Sequence, residues 1–231
     1  MRDIIVQWLT KLTAPVWHSF VSVDDFITAL EQTIYMVFIA FIFGAIWGFL
    51  QAITLLLTRP NGILPNQAIY QILNPIVNAL RSLPFVILMI AMIPITKLIT
   101  GRTIGTAAAI VPLVAYIGPY MGRLIETSLL EVNEGIIESA QAMGASPLQI
   151  VFKFILPEAK SSLILNLTTA NISLIGATAM AGVVGGGGIG DLAYAYGYQR
   201  FDNFIMIVTV IALLLLVQIA QTVGTWLSQR R

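Results

Sequence analysis

The sequence predicts an all-α, polytopic membrane protein with five transmembrane helices and a two-helix loop between the third and fourth. Three observations predict it. Of 231 residues, 58% are apolar and only 10% charged; soluble domains average about 25% charged residues, so 23 charges cannot cover a globular surface of this size. Those charges are segregated, with none in 32–58, 60–80, 82–96, 103–122, 161–190 or 203–229. Mean hydropathy is +0.88, and five windows supply the roughly 20 mainly apolar residues that a bilayer-crossing helix needs.

In chain order, residues 1–27 read as an N-terminal extension. Ile4, Trp8 and Leu12 recur at helical spacing beside Ile5 and Leu9, which predicts an interfacial helix ending before Pro15. Asp3, Gln7 and Thr10 interrupt the apolar run and no small-x-small site follows, so the segment does not read as a cleavable signal. Residues 28–222 read as the transmembrane domain, with spans at about 33–57, 75–95, 103–122, 163–184 and 204–225, and 226–231 as a short inner tail. The second window holds Arg81 with Pro75, Pro84 and Pro94, and the third holds Pro112 and Pro119. Both are expected to be broken helices that face other helices. Arg81 is either a functional intramembrane charge or a side chain snorkelling to the interface. Gly44 with Gly48 and Gly118 with Gly122 allow close helix packing, within the chain or against a second copy.

Charge placement sets the expected orientation. With the N-terminus outside and the C-terminus inside, the inner segments hold Arg59, Arg123, Lys153, Lys160, Arg230 and Arg231, against Lys97, Arg102 and Arg200 outside; Arg2 and Lys11 oppose this bias. A net charge of +1 provides no basic field for nucleic acid. There is no cysteine, and His18 is the one histidine, so no metal site is expected.

The 40 residues of 123–162 carry eight of the 23 charges, Arg123, Glu126, Glu131, Glu134, Glu138, Lys153, Glu158 and Lys160. Ile136, Ile137, Ala140 and Met143 predict one short amphipathic helix stopped by Gly144. Ser146 and Pro147 predict the cap and first turn of a second, with Leu148, Val151, Phe152 and Ile155 as its apolar face and Leu156-Pro157 closing it. Two short helices at an angle make a rigid knob.

Glu138-Ser139-Ala140, three residues, Gly144, then Leu156-Pro157 resembles the EAA loop of ABC importer permeases, with Ser139 in place of an alanine and Phe154 in place of an isoleucine. An ordinary amphipathic hairpin on the inner leaflet is the alternative. Thr58-Arg59-Pro60, Arg81-Ser82-Leu83-Pro84-Phe85, Met92-Ile93-Pro94, Ala108-Ala109-Ile110-Val111-Pro112-Leu113, Met143-Gly144-Ala145, and Gly185 to Gly190 with Tyr194, Tyr196, Gly197 and Tyr198 extend the resemblance, over roughly residue 30 to the C-terminus, to the methionine-uptake permeases.

The resemblance implies the type I ABC importer permease fold and a homodimer in the bacterial cytoplasmic membrane. It implies two ATPase subunits that bind ATP and magnesium, a substrate-binding protein on the outer face, and methionine, L and possibly D, as solute. This chain would itself hold no cofactor and would be no enzyme. Glu138, Ser139, Ala140, Gly144, Leu156 and Pro157 would couple it to the ATPase, with Glu138 and Ala140 facing a groove on that subunit.

No Gly-x4-Gly-Lys-Ser/Thr loop occurs. Gly185, Gly187 and Gly190 match a dinucleotide fingerprint only in letters, because a membrane helix and not a strand precedes them. They are expected instead to allow a tight turn at the outer end of the fourth span, with Asp191 capping the next short helix. Asn166, Thr169, Ser173, Ala177 and Met180 share one face of the fourth span, either lining a solute path with Met180 at an outer gate or bonding between helices. An ion-coupled transporter would require intramembrane carboxylates or histidine, and an intramembrane enzyme clustered Ser/His/Asp or metal ligands; neither set is present.

Overall fold

In the computed structural model, which describes Val6 and residues 19–229, the described residues form helices and connecting turns without strands. The expected helix at 1–12, His18, Arg230 and Arg231 lie outside the described residues. The helices are α1 (Val23–Thr58), α2 (Gln67–Ser82), α3 (Phe85–Ala91), α4 (Ile93–Thr100), α5 (Thr106–Leu130), α6 (Glu134–Ala142), α7 (Pro147–Gln149), α8 (Leu156–Glu158), α9 (Lys160–Ala181), α10 (Ile189–Leu192) and α11 (Asn203–Ser228). Wide π-turns fill Ile150–Ile155, Gly182–Gly186 and Ala193–Tyr198. The first span's helix, α1, begins at Val23, ahead of the expected start at 33.

Four helical stretches are each long and apolar enough to cross a membrane; α2 and α3 pass the same test only as a pair, bent by 107°. The second span is therefore not one element over 75–95. Asn66 caps α2 by accepting from the Ile69 N–H at 3.2 Å, and the helix runs through Pro75 to Ser82. It stops at Leu83, which is extended (φ −76°, ψ 130°) because the ring of a following proline disfavours the helical region. In α5, by contrast, Pro112 and Pro119 do not end the helix. The expected break there is absent.

Contacts divide the chain into two compact units, one from residues up to 40 with 85–113 and 174–218, the other from 41–84, 114–173 and 219–231. In the first, Val21, Ala29, Leu192 and Ile205 make a small core with Phe26 and Tyr196 packed against it. The chain ahead of α1 is tied down. Ser19 Oγ donates to Asp202 at 2.5 Å, and the N–H groups of Phe20 and Ile205 donate to the same carboxylate at 3.3 and 3.1 Å. Ser22 and Asp25 then cap the start of α1 reciprocally.

The glycine run forms the expected turn. Helical geometry fails at Val184 and Gly185, and Gly187 (φ 77°, ψ −166°) and Gly188 (φ 80°, ψ −172°) occupy a region open in practice only to glycine. This aims the Gly188 and Ile189 amides at Gln32 Oε1 (2.8 Å) and Thr33 Oγ1 (2.9 Å) of α1. Asp191 does not cap α10. Gly188 is the cap residue and Asp191 lies inside the helix, since side chains from α1 already satisfy the leading amides. Burial pushes the Asp191 carboxyl above its ordinary value.

In the second unit both glycine pairs serve intrachain packing. A Cβ at Gly48 would stand 2.7 Å from the Gly122 nitrogen and 3.0 Å from the Gly118 oxygen, and one at Gly118 would stand 2.8 Å from the Trp47 ring. Backbone thus meets backbone between α1 and α5, the close approach that small residues permit in lipid.

Gly190 packs its Cα face on the Ala179 backbone, which a Cβ would strike. Gly190→Ala is expected to destabilise the protein by about 3 kcal/mol, read as loss of thermal stability in detergent. Burial raises the Asp202 pKa, but the hydrogen bonds from Ser19, Ile205, Phe20 and Phe204 outweigh it and hold the carboxyl below its ordinary 3.8. A lowered folded pKa contributes stability that is present above the ordinary value and lost as pH falls through the folded one. Amide exchange at residues 20–22 is therefore expected to stay constant from neutral pH down to about pH 4, after correction for intrinsic rates, and protection to fall below that. In Asp202→Ala the protection is already lost at neutral pH.

Candidate functional site

The loop 123–162 is built on local caps. Asn133 starts α6 by accepting from the Gly135 N–H at 2.8 Å. Its end is a Schellman closure: Gly144, at φ 77°, donates its N–H to Gln141 O (2.9 Å), and the Ala145 N–H reaches back to Ala140 O (3.1 Å). Ser146 and Gln149 then form a reciprocal capping box at 2.8 and 3.4 Å, with Pro147 at the first helical position. The chain turns between two helices within a few residues, and α6 packs against the π-turns at Ile150–Ile155.

The apolar faces are narrower than the sequence predicts. Ala140, Ile150, Val151 and Ile155 are buried, whereas Met143, Leu148 and Phe152 are exposed. Ala140, at 0% exposure, cannot face a partner's groove. It packs the knob internally, since a position against Ile150–Ile155 admits only a small side chain. Glu138 and Ser139 are exposed, but the Ser139 hydroxyl donates to Gly135 O at 2.6 Å within its own helix. A Cβ at Gly144 would meet nothing within 4 Å, so the turn opens outward.

Leu156-Pro157 does not close the second helix. The Leu156 N–H bonds to Val151 O, five residues back, and Pro157 follows at the first turn of α8, where its missing N–H costs little. The widened turns let the helical path continue through the proline almost to α9, interrupted only at Ala159.

At the base of the loop lies a polar network that the sequence reading missed. Arg123 donates to Glu126 at 2.8 Å and, through its other nitrogen, to Asn74 at 2.6 Å and Asn78 at 2.7 Å. Glu126 is buried, with Arg59 and Arg81 also within electrostatic reach. The spacing Asn74, Asn78 on one helix face, with Arg123 and Glu126 at i, i+3, was the available signal. Arg81 itself is exposed, its guanidinium 6.0 Å from the Tyr120 ring centroid. Nearby, Ser162 donates to Glu131 at 2.6 Å and to Ser128 at 3.1 Å.

The predicted stripe on the fourth span divides. Asn166 donates to Ser128 at 2.7 Å and Ser173 lies 3.0 Å from the Tyr116 hydroxyl, so both bond to α5. Ala177 is buried. Thr169 and Met180 are exposed, and with Leu165, Gly176 and Val183 they follow a different line along the helix. Spacing alone placed two neighbouring faces together.

The described residues form an all-helical chain with four membrane-length helices, the bent α2–α3 pair and a capped two-helix loop. Residues 44–231 match the family described as the binding-protein-dependent transport system inner membrane component. The chain belongs to this family. Family membership makes it a multi-pass membrane permease subunit of a transport system. A probable D-methionine transport system permease protein of Vibrio cholerae is 48% identical over 207 residues, covering 90% of this chain and 92% of the relative. A methionine import system permease protein of Bacillus subtilis is 40% identical over 170 residues, covering 74% and 77%. Among solved structures, an inward-facing form of the MetNI methionine ABC transporter aligns with TM-score 0.87 at 40% identity, covering 88% of this chain and 94% of the other. An amino acid ABC transporter at 17% identity and TM-score 0.73 shares the fold.

The Arg123–Glu126 pair gives a direct test. Arg123→Ala leaves a buried carboxylate unpaired and is expected to cost about 3 kcal/mol. Arg123→Ala combined with Glu126→Gln is expected to recover most of that stability, measured by thermal unfolding of the purified protein.

Proposed function

We propose that this chain is the permease of an ATP-driven importer that carries methionine across the cytoplasmic membrane. The observation that carries the reading is the 40% identical match to the MetNI methionine ABC transporter over 88% of the chain, supported by the methionine permeases among its relatives. The permease works as a homodimer, with two ATPase subunits at the cytoplasmic face, a substrate-binding protein outside, the N-terminus outside and the C-terminus inside.

Movement enters at the 123–162 knob and leaves along three helices. α6 follows α5 after a short turn, the second half of the knob leads into α9, and the Phe152 ring meets Phe49 of α1 in a tilted contact, 6.3 Å between centroids. Glu138, Ser139 and Gly144 form the surface presented to the ATPase; Ala140, Leu156 and Pro157 keep it rigid. When ATP draws the two ATPases together, the knobs approach and the solute path opens outward. Thr169 and Met180 line that path, while Asn166, Ser173 and Ala177 hold the helix that carries them.

Uptake of labelled methionine against a panel of other amino acids tests this, in cells lacking their own importer and supplied with this chain and its ATPase. Saturable uptake with methionine preferred, L or D, is expected; uptake without that preference would overturn the substrate. Gly144→Asp adds a charge at the outward turn and is expected to abolish uptake while ATP hydrolysis continues. Gly144→Asn tolerates the same left-handed backbone without the charge and is expected to keep uptake. Wild-type uptake by the Asp variant would remove the knob as coupler.

A further inference from the structure

Arg81 stands in the last turn of α2, where the helix breaks ahead of Pro84, and its guanidinium lies 6.0 Å from the centroid of the Tyr120 ring on α5. Tyr120 is the fifteenth of the 25 residues of α5, so at 1.5 Å per residue it lies roughly 21 Å from one end of that helix and roughly 15 Å from the other. Tyr120 in turn stacks on Tyr116, with 6.4 Å between centroids and 5° between planes, and the Tyr116 hydroxyl lies 3.0 Å from that of Ser173 on α9. A guanidinium, two parallel rings and two hydroxyls thus form one line within the second unit, part-way along a membrane-length helix.

Arg81 is exposed. A charge at that depth is costly against hydrocarbon, and such side chains face the bundle interior or water, so this line belongs to a wet face. The partial negative charge at the C-terminal end of α2 offsets part of the cost, and the Tyr120 ring another part. Neither is a full counter-charge. Glu126 is within electrostatic reach, but Arg123 already holds it at 2.8 Å. A second copy facing this one across a two-fold axis presents the same cation and cannot neutralise it. A mobile anion can, and a carboxylate pairs with a guanidinium through two parallel hydrogen bonds.

We propose that Arg81 takes the α-carboxylate of the solute within the membrane, while the solute's apolar side chain lies along the Tyr116 and Tyr120 rings. A thioether suits that wall, because sulfur makes favourable contacts with aromatic rings. Thr169 lies one turn along α9 from Ser173, so the line meets the path already proposed. That the solute is an apolar amino acid rests on the proposed function; that it meets a cation here does not.

The chain contains no cysteine, so Thr169→Cys is a single-thiol reporter for this face. Gly176→Cys, whose Cβ meets nothing within 4 Å, is a second. The intact transporter of this chain with its ATPase is placed in phosphatidylcholine nanodiscs without nucleotide. Labelling of the permease is timed with an anionic and a cationic methanethiosulfonate, each normalised to its rate with free cysteine. The anionic reagent is expected to be favoured, and Arg81→Gln to reduce that preference by about tenfold. Methionine is expected to slow labelling by about tenfold, and methioninol, which lacks the carboxylate, to leave it unchanged. Arg81→Lys is expected to keep part of the protection that Arg81→Gln loses. Labelling without charge preference overturns the inference, as does protection by methionine that Arg81→Gln leaves unchanged. An anion preference that disappears when phosphatidylglycerol is added assigns Arg81 to a lipid phosphate, and two copies that separate on Arg81→Gln assign it to their contact; both overturn it. A transporter that carries another amino acid, with the same Arg81-dependent protection by that one, overturns the methionine reading and leaves this inference standing.

Discussion

Polar groups inside a membrane protein must find their partners within the protein, because hydrocarbon offers none. The features that shape this molecule follow from that requirement. Where the chain leaves a helix at the glycine run, the freed amides of Gly188 and Ile189 are taken up by Gln32 and Thr33 of α1. Asn166 and Ser128 bond across the α9 and α5 helices, and Arg123 is held by one carboxylate and two asparagine oxygens. Polar residues in the spans therefore serve first as fastenings. Thr169 on α9 instead faces outward and bonds only within its own helix, to Leu165 O at 3.1 Å.

The knob is stiff by other means, because much of its surface is exposed. Its rigidity comes from local closure: an asparagine cap, a Schellman turn and a capping box within Asn133–Gln149. Each is worth on the order of 1 kcal/mol. Set end to end, they leave little room for the two helices to change their mutual angle. A loop closed by caps in this way is stiff without a large core of its own.

Much of this was legible in the residues. The four membrane-length helices follow from charge-free runs, and the caps at Ser146 and the turn at Gly144 follow from residue types with one dominant use. Harder to read were features decided by tertiary neighbours. Pro84 stands where its helix ends while Pro112 lies inside a continuous one, and residue type alone does not separate the two. Ala140 looked like surface because its motif is read as a docking sequence, yet its small side chain is needed for internal packing. Asn166 and Thr169 lie about 60° apart on a helix (three residues at about 100° each), so periodicity grouped them while packing separated them. The Arg123 network was hidden because its partners lie about 45 positions apart in sequence.

The glycine contact between α1 and α5 has a mechanical consequence. Gly44 and Gly48 stand against Gly118 and Gly122 with backbone touching backbone. Sliding one helix along the other by a turn, about 5.4 Å, would leave one glycine of each pair opposite a residue that carries a side chain. The two helices thus behave as a spline with a single engaged position, and conformational travel in this unit has to be accommodated where the chain is not meshed.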